Sequence, residues 1–194
     1  MSVSATTFWL ALALIQPGDA NGPAVGAAAP TFSNTGADGR TYSLDALKGQ
    51  WIVLEWYNPS CPYTRRHYDN GALPALQREW TARGVVWLSV STTARLERAA
   101  AFARSKQGAA TAVLDDMETT MARAYRAKTT PHMFVIDPSG VLVYKGALDD
   151  RPEPDVKLSS GGRNFVSDAL TQAMIGRSVE TPVTTPYGCA VNYQ

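Results

Sequence analysis

The pattern of apolar and polar positions divides the middle of the chain into short strands and helices. Trp51 to Tyr57 is a continuous apolar, β-branched and aromatic run entered through the turn Lys48-Gly-Gln50, which predicts a buried central strand. From Cys61 to Arg83, apolar side chains at Tyr68, Ala72, Leu73, Leu76 and Trp80 recur at helical spacing. Asn70-Gly71 and Pro74 are expected to break or kink that helix, and Gly84 to close it. Val85 to Val90 reads as a second buried strand. Ala94 to Gln107 reads as a helix with Leu96, Ala99, Ala100 and Ala103 on one face and Gly108 as its C-cap. Thr111 to Leu114 predicts a strand and Met117 to Arg126 a helix. His132–Ile136 and Val141–Lys145 predict a hairpin turned by Asp137-Pro-Ser-Gly140, and Asn164 to Ile175 a closing helix. Strands alternating with helices, then a hairpin and a last helix, predict an α/β fold with a mixed central sheet. The stretch from Asp150 to Gly162 reads as a loop inside that domain, and no internal repeat is visible.

The two ends differ from this pattern. Phe8 to Ile15 is a short apolar core followed by Gln16-Pro-Gly-Asp-Ala20, with small residues at Gly18 and Ala20. Residues 1–20 are therefore expected to be an export signal, although Met1 to Thr7 carries no Lys or Arg; a short buried N-terminal helix is the alternative. Export would place the protein in a periplasmic or other extracytoplasmic, oxidising compartment. Residues 21–176 then form one domain. Residues 177–194, with Pro182, Pro186 and no helical period, predict an extended arm that carries Cys189.

Composition narrows the function. An apolar share of 45% in 194 residues supports a real core. Lys and Arg number 18 against 17 Asp and Glu, so no nucleic-acid partner is expected. No apolar run approaches the roughly 20 residues of a membrane span. The 2 cysteines are too few for a disulfide scaffold or a structural zinc site. No dinucleotide, phosphate-loop, zinc-protease or nucleophile-elbow motif is present, so neither cofactor nor metal is expected. Asn58-Pro-Ser fails as a glycosylation site because proline fills its middle position.

The chemistry concentrates in Glu55-Trp-Tyr-Asn-Pro-Ser-Cys61-Pro-Tyr-Thr64. The pattern places Cys61 between a buried strand and a helix, with Pro62 at the first helical position. A thiolate there meets unpaired N–H groups and the positive end of the helix dipole, which lower a thiol pKa from its reference of about 8.5. Arg65, four residues on, lies on nearly the same face and can add to the effect. Such a thiolate attacks disulfides and peroxides. The alternative is a small buried hydrophobic cysteine.

These residues resemble the thioredoxin-like superfamily, in particular its redoxin branch of peroxiredoxins and thiol-disulfide oxidoreductases, over roughly Gly26 to Gly176. Gly26-Ala-Ala-Ala-Pro-Thr-Phe32 resembles the entry segment of that branch. Asp38 to Leu44 and Leu47 to Leu54 resemble its hairpin and first long strand, and Thr129-Thr-Pro131 resembles its cis-proline loop. The resemblance implies a thioredoxin-like three-layer fold with Cys61 as nucleophile. It implies a cis Pro131 that holds Thr130 beside Cys61, where an extended substrate strand can pair. It also implies a buried acid at Glu55, six positions before Cys61, as proton acceptor. Thr64 stands where a thioredoxin has its second cysteine, so Cys61 has no local disulfide partner. Asn58 and Leu54 stand where a peroxiredoxin has Thr or Ser and Pro. Thr64 can still donate to the Cys61 sulfur, and Asn58 can orient a substrate oxygen.

Cys189 lies thirteen residues beyond Gly176, a reach of roughly 45 Å, ample for a domain of about 15 Å radius of gyration. It can resolve Cys61 or lock it, or be a free or intermolecularly paired thiol. His132 is read as a packed strand residue and His67 as structural or surface. The expected function is an exported thiol oxidoreductase acting on a peroxide or on protein thiols and disulfides, in an undefined oligomeric state. The alternatives are a non-catalytic fold that binds a peptide or partner, and a copper-handling protein using Cys61, His132 and Cys189.

Overall fold

The computed structural model describes residues 22–153 and 162–193. The expected export signal over residues 1–20, and most of the loop expected between Asp150 and Gly162, lie outside the described residues.

The central sheet is built from the strands the apolar runs predict. β3 (Ile52–Trp56), β4 (Val86–Ser91) and β5 (Ala112–Asp115) run parallel; β7 (His132–Ile136) pairs antiparallel with β3, and β8 (Leu142–Gly146) antiparallel with β7, in the order β5-β4-β3-β7-β8. An N-terminal hairpin pairs β1 (Ser33–Thr35) with β2 (Thr41–Ser43). Every residue of β3, β4 and β7 is buried, as continuous apolar runs require when both faces of a sheet are covered. One face packs Leu54, Trp56, Leu88 and Phe134 under the N-terminal segment and α4 (Thr120–Tyr125). The other packs Val53, Trp87, Met133 and Tyr144 against α1 (Pro62–Asp69), α2 (Ala72–Ala82), α3 (Leu96–Ser105) and α5 (Phe165–Met174). This is the three-layer α/β arrangement with a mixed sheet that the resemblance implies, and the fold is thioredoxin-like.

Local differences from the expected elements have physical causes. The helix between Cys61 and Arg83 breaks at Asn70-Gly71, where Gly71 is left-handed with φ 76° and the Asn70 side chain accepts the Ala72 N–H. Pro74 breaks nothing, because it falls in the first turn of α2, where an N–H has no intrahelical acceptor. The left-handed residue that ends α3 is Gln107 (φ 55°), not Gly108, whose N–H returns to the Ala103 carbonyl. α4 starts three residues later than expected. The Asp116 carboxylate takes the Met121 and Ala122 N–H groups at 2.9 and 2.7 Å and fixes the start there. α5 lies within the stretch expected for it and is capped by Asn164, whose side chain accepts the Ser167 N–H at 2.9 Å.

The C-terminal arm is extended and docked. Val183 bridges Lys145 of β8, and the Thr184 hydroxyl accepts the Ala147 N–H. The chain then crosses to pair β9 (Cys189–Ala190) antiparallel with β6 (Thr129–Thr130), and Val191 enters the core.

Candidate functional site

Cys61 is the N-cap residue of α1, with extended backbone angles and Pro62 at the first helical position. The turn leading into it is tied by the Cys61 N–H to the Asn58 carbonyl at 3.0 Å. The sulfur thus sits at the positive end of the helix, on the side of the sheet where β3 ends. The Thr130–Pro131 peptide is cis, and the Thr130 carbonyl lies 3.1 Å from Cys61 Sγ. Cys61 and Cys189 form a disulfide with a Cα–Cα distance of 6.0 Å, within the ordinary range. No thiol hydrogen exists in that state; on reduction the Cys61 thiol has the Thr130 carbonyl as a ready acceptor. Cys61 is 1% exposed and Cys189 is partly exposed.

The arm holds Cys189 in place through neighbours on both sides. Thr129 pairs with Ala190 and Thr130 with Cys189, and the Val191 N–H reaches the Lys128 carbonyl at 3.0 Å. On the other side, the Tyr187 hydroxyl donates to Asp149. It also meets Arg66 Nη2 at 3.1 Å and His67 Nε2 at 3.3 Å. Arg66, His67 and Asp149 are all buried, and Arg66 pairs with Asp149 at 3.6 Å. Arg66 also donates to the carbonyls of Arg151 and Glu153. Asp149 lies 3.9 Å from His67, which by itself favours a charged imidazole. Burial and the Arg66 and Arg151 cations outweigh it, because Asp149 is already engaged by Arg66 and Tyr187; the His67 pKa is pushed down to about 3. Burial, and the Asp149 carboxylate beside it, push the Tyr187 phenol up, so it stays a donor.

The remaining candidate residues are placed as follows. Glu55 is 0% exposed and its two oxygens accept four hydrogen bonds. Tyr68 donates to one; Gln77, Trp87 and Ser89 donate to the other at 2.9, 2.7 and 3.0 Å. Burial raises its pKa and these donors oppose the rise. All four of these donors are other than Cys61, so the acid sits in a cage of its own. Thr64 is buried, and its hydroxyl accepts the Asn58 N–H at 3.5 Å. The Asn58 side chain accepts the Ser60 N–H at 2.8 Å. Arg65 is half exposed and pairs with Asp69 at 3.8 Å along the helix. His132 packs 4.4 Å from the Phe134 ring, and its Nδ1 accepts the Lys128 N–H. Burial lowers its pKa to about 3. Cys61, His132 and Cys189 form no metal-binding group among the described residues, and both sulfurs are taken by their mutual bond. A cleft of about 810 Å³ lined by Asn34, Asp45, Asp115 and Glu118 among others includes none of these residues.

Sequence reasoning therefore assembles Cys61, Thr130, Pro131 and Cys189 but misses the anchor formed by Arg66, His67, Asp149 and Tyr187. The local signal was Tyr187-Gly188 directly before Cys189; Asp149 had none, because only the fold brings it to α1.

Comparison with known proteins agrees with this architecture. No curated protein sequence matches the chain significantly. Among solved structures, an uncharacterized conserved protein from Geobacillus kaustophilus is 23% identical with a TM-score of 0.77, covering 88% of this chain and 93% of that one. A hypothetical protein from Sinorhizobium meliloti is 22% identical with a TM-score of 0.77, covering 90% and 97%. A putative thiol:disulfide interchange protein DsbE from Chlorobium tepidum is 23% identical with a TM-score of 0.56, covering 78% and 96%. These likenesses concern the fold. The family model of AhpC/TSA matches residues 25–145, from the entry segment through β8, and on that span the chain belongs to the AhpC/TSA family.

Proposed function

We propose that this chain is a thiol–disulfide oxidoreductase of redoxin type, with Cys61 as nucleophile and Cys189 as resolving thiol, acting on protein disulfides outside the cytoplasm. The observation that carries the reading is the Cys61–Cys189 bond, formed between a helix N-terminus and the strand paired to Thr130. A sulfur at that position is stabilised as a thiolate by the first-turn N–H groups of α1. In the reduced protein the Cys61 thiolate attacks one sulfur of a substrate disulfide. The other substrate sulfur leaves as a thiolate and takes a proton from water. Cys189 then attacks Cys61 Sγ, the mixed disulfide breaks, and the substrate leaves as its second thiol. The substrate gains two electrons and the protein is left with the Cys61–Cys189 bond, which an external dithiol must reduce again. The Thr130 carbonyl, 3.1 Å from Cys61 Sγ, supports a role for the Thr130–Pro131 loop in holding substrate beside the sulfur. The apolar stretch before Gln16 supports an exported location, an oxidising compartment in which the two cysteines can pair.

Peroxide reduction is the second reading, supported by membership of the AhpC/TSA family. There the thiolate attacks the peroxide oxygen, water or an alcohol leaves, and Cys189 condenses with the resulting sulfenic acid. Turnover of a protein disulfide and of hydrogen peroxide, each with a dithiol donor, tests both. Cys61→Ser is expected to lower turnover by roughly two orders of magnitude or more. Cys189→Ser is expected to accumulate a mixed disulfide on Cys61, seen by intact mass. Disulfide turnover that persists in Cys61→Ser, or is absent from the unaltered chain, overturns the first reading.

A further inference from the structure

The arm shows how an extended chain sits on the Thr129–Thr130 edge. Its register is fixed by Thr130 opposite Cys189 and Thr129 opposite Ala190. Gly188 lies against the Thr130 carbonyl. A Cβ built on it would stand 2.7 Å from that carbonyl carbon and closer still to the oxygen, and its φ of 134° disfavours any side chain. The same carbonyl touches Cys61 Sγ on its other side. One residue earlier, the phenol of Tyr187 enters the buried Arg66–His67–Asp149 pocket, with Arg66 5.8 Å from the ring centroid. Three successive positions are thus read by three different devices: a polar pocket, a carbonyl that admits only glycine, and the sulfur of Cys61. A structural lock needs none of this beyond the sulfur bond. A charged pair kept in a pocket that a phenol completes is costly to leave unfilled, so the site favours an occupant with that group. The arm is also rooted upstream, by Lys145 N–H to Pro182 and Thr184 N–H to Lys145, so only the segment beyond Thr184 must move to uncover the edge.

We propose that this edge and pocket form the binding site for an external cysteine-bearing segment of the form phenol–glycine–cysteine, for which Tyr187-Gly188-Cys189 is the built-in occupant. The inference rests on the oxidoreductase reading above. Substrate and arm exchange on one edge. The arm leaves when an external dithiol reduces the Cys61–Cys189 bond, the segment pairs with Thr129–Thr130, and Cys61 attacks the segment's cysteine in a disulfide, whose other sulfur leaves as a thiolate and takes a proton from water. The arm's return makes the Cys61–Cys189 bond and expels the segment as a thiol. Resolution and product release are then one movement.

The test uses the full-length Cys189→Ser chain equilibrated with disulfide-linked dimers of the peptide Tyr-Gly-Cys-Ala-Val and with oxidised glutathione. The equilibrium constant for the mixed disulfide on Cys61 is read by intact mass. The arm-like peptide is expected to exceed glutathione by about tenfold or more, the scale of a hydrogen bond to a buried charged group. Tyr-Ala-Cys-Ala-Val and Phe-Gly-Cys-Ala-Val are each expected to lose most of that preference. The same ranking is read on the unaltered, pre-reduced chain as the second-order rate of consumption of each peptide disulfide, which keeps the test independent of the variant's folding. Equal values for all peptides and glutathione overturn the recognition site and leave the oxidoreductase reading standing. Failure of Cys61 to exchange with any of them overturns both.

Discussion

Glu55 shows what a single buried residue contributes. Its carboxyl accepts four hydrogen bonds, from Tyr68, Gln77, Trp87 and Ser89, which belong to α1, α2 and β4. One side chain therefore joins two helices to two adjacent strands at full burial. Replacing it by alanine would leave those donors without their acceptor, a loss expected to be about 3–5 kcal/mol. Urea denaturation of Glu55→Ala with an unchanged m-value checks this; a loss under 1 kcal/mol would mean that water fills the cage. The acid's position six residues before Cys61 was readable in the sequence. Its partners were not, because Trp87 and Ser89 come from a strand that meets β3 only through the parallel register of the sheet. The same limit hid the arm's anchor. Cys61 announces itself through Pro62 and the preceding apolar run, whereas Asp149 reaches Tyr187 across 38 residues of chain.

At the scale of elements, legibility follows how local the determining interaction is. β3, β4, β7 and α5 were legible because apolar runs and helical periodicity act over a few residues. The start of α4 was misplaced because its cap is a carboxylate, Asp116, five positions before the N–H it accepts. The end of α3 falls two residues before the expected one, at Ser105, because a glutamine, Gln107, occupies the left-handed position that Gly108 advertised. That glutamine has a measurable cost, since a side chain in this region is disfavoured by roughly 1 kcal/mol relative to glycine. Gln107→Gly is expected to raise stability by about that amount, read as a higher denaturation midpoint. A lower midpoint would show that the Gln107 side chain makes contacts worth more than the backbone strain. The short strand pair β6–β9 was beyond sequence reasoning of this kind, because two residues on each side carry no periodicity.

The whole molecule keeps both of its histidines neutral. Burial, reinforced by nearby Arg and Lys cations, lowers the pKa of His67 and of His132 to about 3. In the unfolded chain both titrate near 6.5. Between those values the unfolded state binds more protons, so stability falls as pH drops through 6.5 and continues to fall towards 3. Two such groups lose up to about 4 kcal/mol between pH 7 and pH 5. Glu55 and Asp116, raised by burial, act in the opposite sense by holding protons in the folded state. Urea midpoints at pH 7, 6 and 5 check the sign. A constant or rising midpoint on acidification would mean that the histidine penalty is absent or is outweighed by Glu55 and Asp116.

The bond between Cys61 and Cys189 also changes how the chain responds to tension. It spans 128 residues, which include β4, β5, β7 and β8 of the central sheet and α1 to α5. Pulled from its ends, the oxidised protein can extend only through the segments outside that covalent loop. The remainder, roughly 420–460 Å of slack when fully stretched, stays out of reach of force until a reductant cuts the sulfur bridge. A thiol donor thus sets the mechanical length of the molecule as well as its chemical state.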